Sequence, residues 1–74
     1  MKKTEFQKRL GKHVIEIRKA KKWSQADLAR NCEKDRQNIE RLENGKTNPT
    51  AFYLYEIAAG LEIPISKLLD FDLS

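Results

Sequence analysis

The chain has 74 residues, of which 39% are apolar and 35% charged, a composition that favours one small soluble domain with a modest core over a disordered segment. Such a size leaves little room for an elaborate enzyme cleft, and no stretch is long and apolar enough to span a membrane. Cys32 is the single cysteine and His13 the single histidine, so neither an internal disulfide nor a zinc site of Cys/His spacing is indicated. We therefore expect one cytoplasmic domain over residues 1–74, without a metal or cofactor.

The net charge of +4 is distributed unevenly along the chain. Residues 1–22 hold nine Lys or Arg against two acids, residues 23–49 hold five of each sign, and residues 50–74 hold one Lys against four acids. A basic amino-terminal part and an acidic carboxyl-terminal part give the molecule a positive side, which is typical of proteins that approach a polyanion. Lysine-rich helix faces that are merely solvated remain the alternative.

The first predicted helix runs from Thr4 to about Lys22. Its apolar residues recur at steps of four, four and three, the stripe of an amphipathic helix: Phe6, Leu10, Val14 and Ile17. A second, short helix follows, because Ser24 and Asp27 have the spacing of a capping box. We expect this second helix to end near Asn31.

Caps and breakers mark the remaining helices. Asp35 can cap a third helix, which Gly45 stops. After an Asn-Pro pair, Thr50 can cap a fourth, whose apolar residues stand at i, i+3, i+4 and i+7: Leu54, Ile57, Ala58 and Leu61. Pro64 then breaks the chain, and Ser66 can cap a final turn. No strand alternation or internal repeat occurs, so the sequence predicts an all-α fold.

Two helices separated by about three residues in such a domain suggest a helix-turn-helix. Three segments carry more information: Leu10–Arg18 (LGKHVIEIR), Trp23–Ala29 (WSQADLA) and Ile39–Pro49 (IERLENGKTNP). Together they resemble the phage-repressor and Cro type of helix-turn-helix, often called the XRE type, and the likeness extends from about Leu10 to Leu69. It implies a lambda-repressor-like bundle of five helices, in which helices two and three bind double-stranded DNA and helix three enters the major groove.

The third helix would present a polar face to that groove. With Ile39 and Leu42 directed inward, a step of about 100° per residue places four polar side chains on the opposite face: Arg36, Gln37, Glu40 and Arg41. Arginine can donate two hydrogen bonds to guanine, and glutamine can both donate to and accept from adenine. We therefore expect Arg36 and Gln37 to read bases, as the matching positions do in the family, and Arg41 to reach a base or a phosphate. An ordinary solvated helix face is the alternative.

A second group of residues is expected to contact the DNA backbone. Gln25 opens helix two, where its backbone N–H and side-chain amide can donate to a phosphate near the positive end of the helix dipole. The resemblance places the loop after helix three against the sugar-phosphate strand, with Asn44, Lys46 and Thr47 as candidate contacts. Asn44 could equally serve as part of a helix stop.

The resemblance also implies a structural ion pair and two unusual turns. Arg18 and Glu43 match positions that pair between helix one and helix three, and such a pair would fix the angle of the reading helix rather than add much stability. Glu33 and Glu62 stand where relatives frequently have glycine. A left-handed residue other than glycine costs on the order of 1 kcal/mol, so these turns are either strained or shaped differently.

These features together predict a sequence-specific transcriptional regulator of the nucleoid, with no enzymatic activity and no small-molecule ligand. We expect a homodimer on a pseudo-palindromic operator, formed through helix four and the carboxyl-terminal segment. Residues 1–9 would extend helix one and residues 70–74 would form a short tail. The crowded aromatics of helix four are core or an exposed patch: Phe52, Tyr53 and Tyr55. An antitoxin-type DNA-binding component and a protein-interaction module of the same fold are the alternative functions.

Overall fold

The computed structural model describes residues 1–73 and contains five helices within them: α1 (Lys3–Ala20), α2 (Gln25–Cys32), α3 (Arg36–Glu43), α4 (Ala51–Gly60) and α5 (Ile65–Leu68). No strand occurs in this part of the chain, which confirms the predicted all-α class. Helix α1 ends earlier than predicted, because Lys22 takes a left-handed conformation with φ of 61° and turns the chain toward α2.

Two of the four predicted caps are confirmed. The Ser24 hydroxyl accepts from the Asp27 N–H at 3.0 Å while the Asp27 carboxylate accepts from the Ser24 N–H at 2.9 Å, a complete capping box. Hydrogen bonds from Arg30 and Ser24 lower the pKa of Asp27 to about 2. At the start of α4, the Thr50 hydroxyl accepts from the Tyr53 N–H at 3.0 Å.

Neither of the other two predicted residues caps its helix with a side-chain hydrogen bond within residues 1–73. Asp35 occupies the N-cap position of α3, but its exposed side chain makes no capping hydrogen bond within residues 1–73. Ser66 lies inside α5, whose N-cap is Pro64 with φ of −69°. The Pro64 carbonyl accepts from the N–H groups of Lys67 and Leu68, so the proline that breaks the chain also begins the final turn.

All five helices contribute side chains to the hydrophobic core. Eight large side chains are fully buried: Leu10, Val14, Leu28, Ile39, Leu42, Ile57, Leu61 and Leu68. Each contributes about 1.5–3 kcal/mol of transfer free energy relative to exposure. Cys32 is buried among them, and burial raises the pKa of its thiol to about 11, in agreement with a packed thiol.

The helix backbones approach closely at two contacts. A Cβ atom at Gly11 of α1 would overlap the carbonyl oxygens of Leu42 and Glu43, so only glycine lets α1 lie directly against the end of α3. A Cβ atom at Gly60 of α4 would overlap the sulfur of Cys32 on α2. The α1–α3 contact is the more important for function, because it places the end of α3 relative to the rest of the bundle.

The carboxyl-terminal tail folds back on α1. The Phe71 ring lies 5.8 Å from the Phe6 ring and 5.3 Å from the His13 ring, measured between centroids. His13 Nε2 is 3.0 Å from the Lys67 carbonyl oxygen, to which it donates. Among the helices of residues 1–73, none combines the length and apolar character that a bilayer-spanning segment needs.

Candidate nucleic-acid interface

Helices α2 and α3 are joined by a tight turn that Glu33 makes possible. Glu33 has φ of 55° and ψ of 44°, the left-handed conformation in which glycine is favoured, and Glu62 after α4 has φ of 60°. The Lys34 N–H donates to the Ala29 carbonyl at 2.9 Å across this turn. Of the two predicted possibilities, the glycine-like conformation with its strain is therefore the one that both turns adopt.

The Lys34 side chain extends toward α4 rather than toward the polar face of α3. Its Nζ lies 2.8 Å from a Glu56 carboxylate oxygen and 5.0 Å from the centre of the Tyr53 ring. The hydrogen bond to Glu56 raises the pKa of Lys34. This ion pair connects the turn to α4 and keeps the Lys34 side chain on the α4 side of the turn.

Helix α3 separates its buried and exposed residues as its period predicts. Ile39, Leu42 and Glu43 are buried. The remaining side chains of the helix are exposed: Arg36, Gln37, Asn38, Glu40 and Arg41. All three predicted base-reading residues thus lie on one solvent-facing surface of α3, and Asn38 is an exposed polar neighbour that the sequence analysis did not single out.

Arg36 is held between two oxygen acceptors. Its Nη1 lies 3.5 Å from the Gln25 side-chain oxygen and 3.8 Å from a Glu40 carboxylate oxygen. The Arg36 side chain is 59% exposed, so these contacts orient the guanidinium without covering it. Its remaining N–H groups stay available for a ligand.

Gln25 links the exposed face to the interior. It opens α2, where backbone N–H groups lack helical acceptors. Its side-chain nitrogen donates to Glu43 at 2.9 Å while its oxygen faces Arg36. The amide that was expected to donate to a phosphate is therefore already engaged within the protein by one N–H, and the backbone N–H is the donor that α2 presents at its end.

Glu43 belongs to a buried ion pair with Arg18, the pair that the resemblance implied. Arg18 Nε and Nη2 donate to the two carboxylate oxygens at 2.6 Å and 3.1 Å, and Nη1 donates to the Trp23 carbonyl at 2.8 Å. Arg18 is 9% exposed and Glu43 is 4% exposed. This bidentate geometry joins α1 to the last residue of α3 and, through Gln25, to the first residue of α2.

The loop after α3 places its three candidate phosphate contacts differently. Asn44 is the C-cap residue of α3 and is exposed, and Lys46 is exposed. The Thr47 hydroxyl, in contrast, is buried without a hydrogen-bond partner in the described structure, beside a cleft lined by Asn38 and Pro49. The contact of Thr47 with a phosphate stays a prediction, and the buried hydroxyl would not be the atom that makes it in this conformation.

Lys8 adjoins this loop, and sequence reasoning missed it. Gly45 has φ of 71°, and a Cβ atom there would lie 2.8 Å from Lys8 Cα and 3.0 Å from Lys8 Cγ. Lys8 is exposed. The contact joins positions far apart in the chain, and an exposed lysine leaves no periodic signal, so only the excess of basic residues before residue 23 pointed toward it.

A short helix, a tight turn and a second helix with a polar, partly cationic surface define a helix-turn-helix DNA-binding protein. The chain belongs to the HTH_3 helix-turn-helix family, whose family model matches residues 14–68. It is therefore a DNA-binding transcriptional regulator of the XRE type, and members of this family are regulators rather than enzymes.

Solved structures agree with this family. The restriction-modification controller protein C.AhdI from Aeromonas hydrophila is 30% identical over 82% of this chain and 92% of its own, with a TM-score of 0.79. The hypothetical transcription factor NHTF from Neisseria is 28% identical over 93% of this chain and 79% of its own, with a TM-score of 0.82.

A third structure supports the fold alone. An HTH_3 family transcriptional regulator from Vibrio cholerae is 24% identical, with a TM-score of 0.86, over 90% of this chain and 38% of its own. This chain thus corresponds to well under half of that regulator. No curated protein sequence matches the chain with comparable significance.

Proposed function

We propose that the protein recognises a specific sequence of double-stranded DNA by inserting α3 into the major groove. The observation that carries the proposal is the exposed face of α3, on which Arg36, Gln37 and Arg41 lie together. A guanidinium can donate two hydrogen bonds to guanine O6 and N7, and a glutamine amide can pair with adenine N6 and N7. Because Arg36 is oriented by Gln25 and Glu40, it enters the groove with part of its side-chain freedom already removed.

Residues on both sides of α3 would fix the register on the duplex. The first turn of α2 offers the Gln25 backbone N–H, and the loop after α3 offers Asn44 and Lys46. Lys8 joins the same loop from α1, so we add it to the proposed phosphate contacts. Thr47 would contact a phosphate only through its backbone, since its hydroxyl is buried.

A homodimer would present two such surfaces to a pseudo-palindromic operator. Helix α4 carries two exposed aromatic rings, Phe52 at 67% and Tyr55 at 58% exposure, stacked with centroids 5.9 Å apart. Large exposed apolar groups of this kind favour a protein contact. In the tail, the Phe71 ring packs against Phe6 of the same protomer, which leaves Leu73, 52% exposed, as the tail's exposed apolar side chain among residues 69–73. Helix α4 would therefore supply more of the interface than the tail.

Selection of binding sites from random duplex DNA tests this proposal, followed by sedimentation of the complex on the enriched site. We expect inverted half-sites about 10 to 10.5 bp apart and two protomers on each duplex. A single protomer bound at saturation to an asymmetric site would remove the dimer. If no sequence is enriched and retention on DNA does not depend on salt, the fold acts here as a protein-interaction module instead.

A further inference from the structure

Glu40 lies among the exposed side chains of α3 that are proposed to contact bases, a surface called the reading face: Arg36, Gln37 and Arg41. Its helical neighbours one turn away are Arg36 and Gln37 on one side and Asn44 on the other. The Glu40 side chain is 51% exposed, whereas the other glutamate of α3, Glu43, is buried in its ion pair with Arg18. Glu40 is therefore the carboxylate that α3 would bring into a groove flanked by phosphates.

The carboxylate of Glu40 forms only a weak, exposed ion pair with Arg36. The shortest Arg36–Glu40 approach is 3.8 Å, too long for a hydrogen bond, and both side chains are more than half exposed. Exposed pairs of this kind on a helix are weak. The weak pair with Arg36 involves one carboxylate oxygen, so Glu40 keeps acceptor capacity, and a negative charge at this position opposes binding to any duplex unless a base supplies a donor.

Base edges in the major groove differ in whether they supply that donor. Guanine presents the acceptors N7 and O6, thymine presents the acceptor O4, and adenine presents an N6 donor beside the N7 acceptor. Cytosine presents the N4 amino group as a donor without an adjacent ring acceptor. A carboxylate only accepts, so cytosine is the base whose edge complements it.

We propose that Glu40 is a specificity-determining residue that accepts a hydrogen bond from cytosine N4 and rejects other bases at that position. The inference rests on the proposed insertion of α3 into the major groove. Arg36 and Glu40 are four positions apart on the helix, a rise of about 6 Å, which corresponds to roughly two base-pair steps of 3.4 Å. The operator half-site should therefore hold a guanine read by Arg36 and a cytosine within about two base pairs of it.

Site selection with the wild type, Glu40→Ala and Glu40→Gln tests this assignment, with Kd then measured on the enriched duplex, on duplexes altered at the cytosine, and on scrambled DNA. The wild type should disfavour the altered duplexes by about 5- to 150-fold, the range expected for one base contact. Glu40→Ala should lose that discrimination and bind scrambled DNA more tightly. Glu40→Gln should move the preference toward adenine, because an amide both donates and accepts.

Glu16→Gln is the matched control, since it removes one exposed carboxylate from α1, beside the tail and away from α3. It should leave the enriched sequence unchanged. If Glu40→Ala tightens binding to the enriched and scrambled duplexes by the same factor and discrimination at every base pair survives, Glu40 is only a solvated charge and the inference is wrong. If the wild type enriches no sequence, the proposed function itself fails, so the two failures are distinguishable.

Discussion

Removing one partner of the Arg18–Glu43 ion pair is expected to destabilise the fold by about 3–5 kcal/mol. The magnitude follows from burial, because Arg18 is 9% exposed and Glu43 is 4% exposed, so Glu43→Leu would leave a guanidinium in the interior without its counter-charge. Small domains have only about 5–15 kcal/mol of stability in total. Replacing both partners by apolar residues, Arg18→Met with Glu43→Leu, should instead be near neutral or stabilising by up to about 4 kcal/mol.

Urea denaturation of Arg18→Met, Glu43→Leu and their double variant, followed by far-UV circular dichroism, measures these free energies of unfolding. The double variant should fold yet discriminate less between specific and scrambled DNA, because Gln25 loses the Glu43 oxygen that holds its amide beside Arg36. Single variants that each cost less than about 1 kcal/mol would show that the pair behaves like a solvated one. A double variant that costs the sum of the singles would show that the two charges are not coupled, and would refute the reasoning.

Three further variants test the packing, a turn and a cap. Gly60→Ala should destabilise by about 1–3 kcal/mol through overlap with Cys32, and adding Cys32→Ala should restore part of the loss in denaturant titrations. Glu33→Gly should stabilise the fold by up to about 1 kcal/mol, because glycine relieves the left-handed strain and this gain exceeds the added entropy of the unfolded chain. Unchanged or lower stability would contradict this. Asp27 has a pKa lowered from 3.8 to about 2, so its contribution is present above about pH 4 and is lost as the pH falls toward 2. Asp27→Asn should flatten the pH dependence of unfolding in that window.

Periodicity and turn chemistry carried most of the information about the helices. The apolar stripe of α1 and the capping box at Ser24 are local patterns, and local patterns can be seen in one sequence. The failures at Asp35 and Ser66 have a physical reason, because a residue type that can cap does so only when its backbone and side chain reach the right geometry. Pro64, whose ring fixes φ, occupies the N-cap position of the last helix, so Ser66 lies inside the helix and cannot cap it.

The reading face was predictable for a similar reason, since two buried residues of α3 determine which side chains are opposite them. Its surroundings were not, because they depend on contacts between distant parts of the chain. The burial of the Thr47 hydroxyl, the approach of Lys8 to Gly45 and the packing of Phe71 on α1 all depend on how separate segments meet. Exposed or half-buried residues in such contacts leave no repeating pattern.

A salt titration of Arg36→Ala and Lys46→Ala, on an enriched duplex and on scrambled DNA, tests the central claim most directly: α3 reads bases while the following loop contacts phosphates. Arg36→Ala should lose about 1–3 kcal/mol on the enriched duplex, change little on scrambled DNA, and relax preference at one base pair. Lys46→Ala should weaken both duplexes similarly and reduce the slope of log affinity against log salt by about 0.9, with base preference intact. If Arg36→Ala weakens both duplexes equally and leaves base preference intact, Arg36 does not read a base and the account of α3 is contradicted.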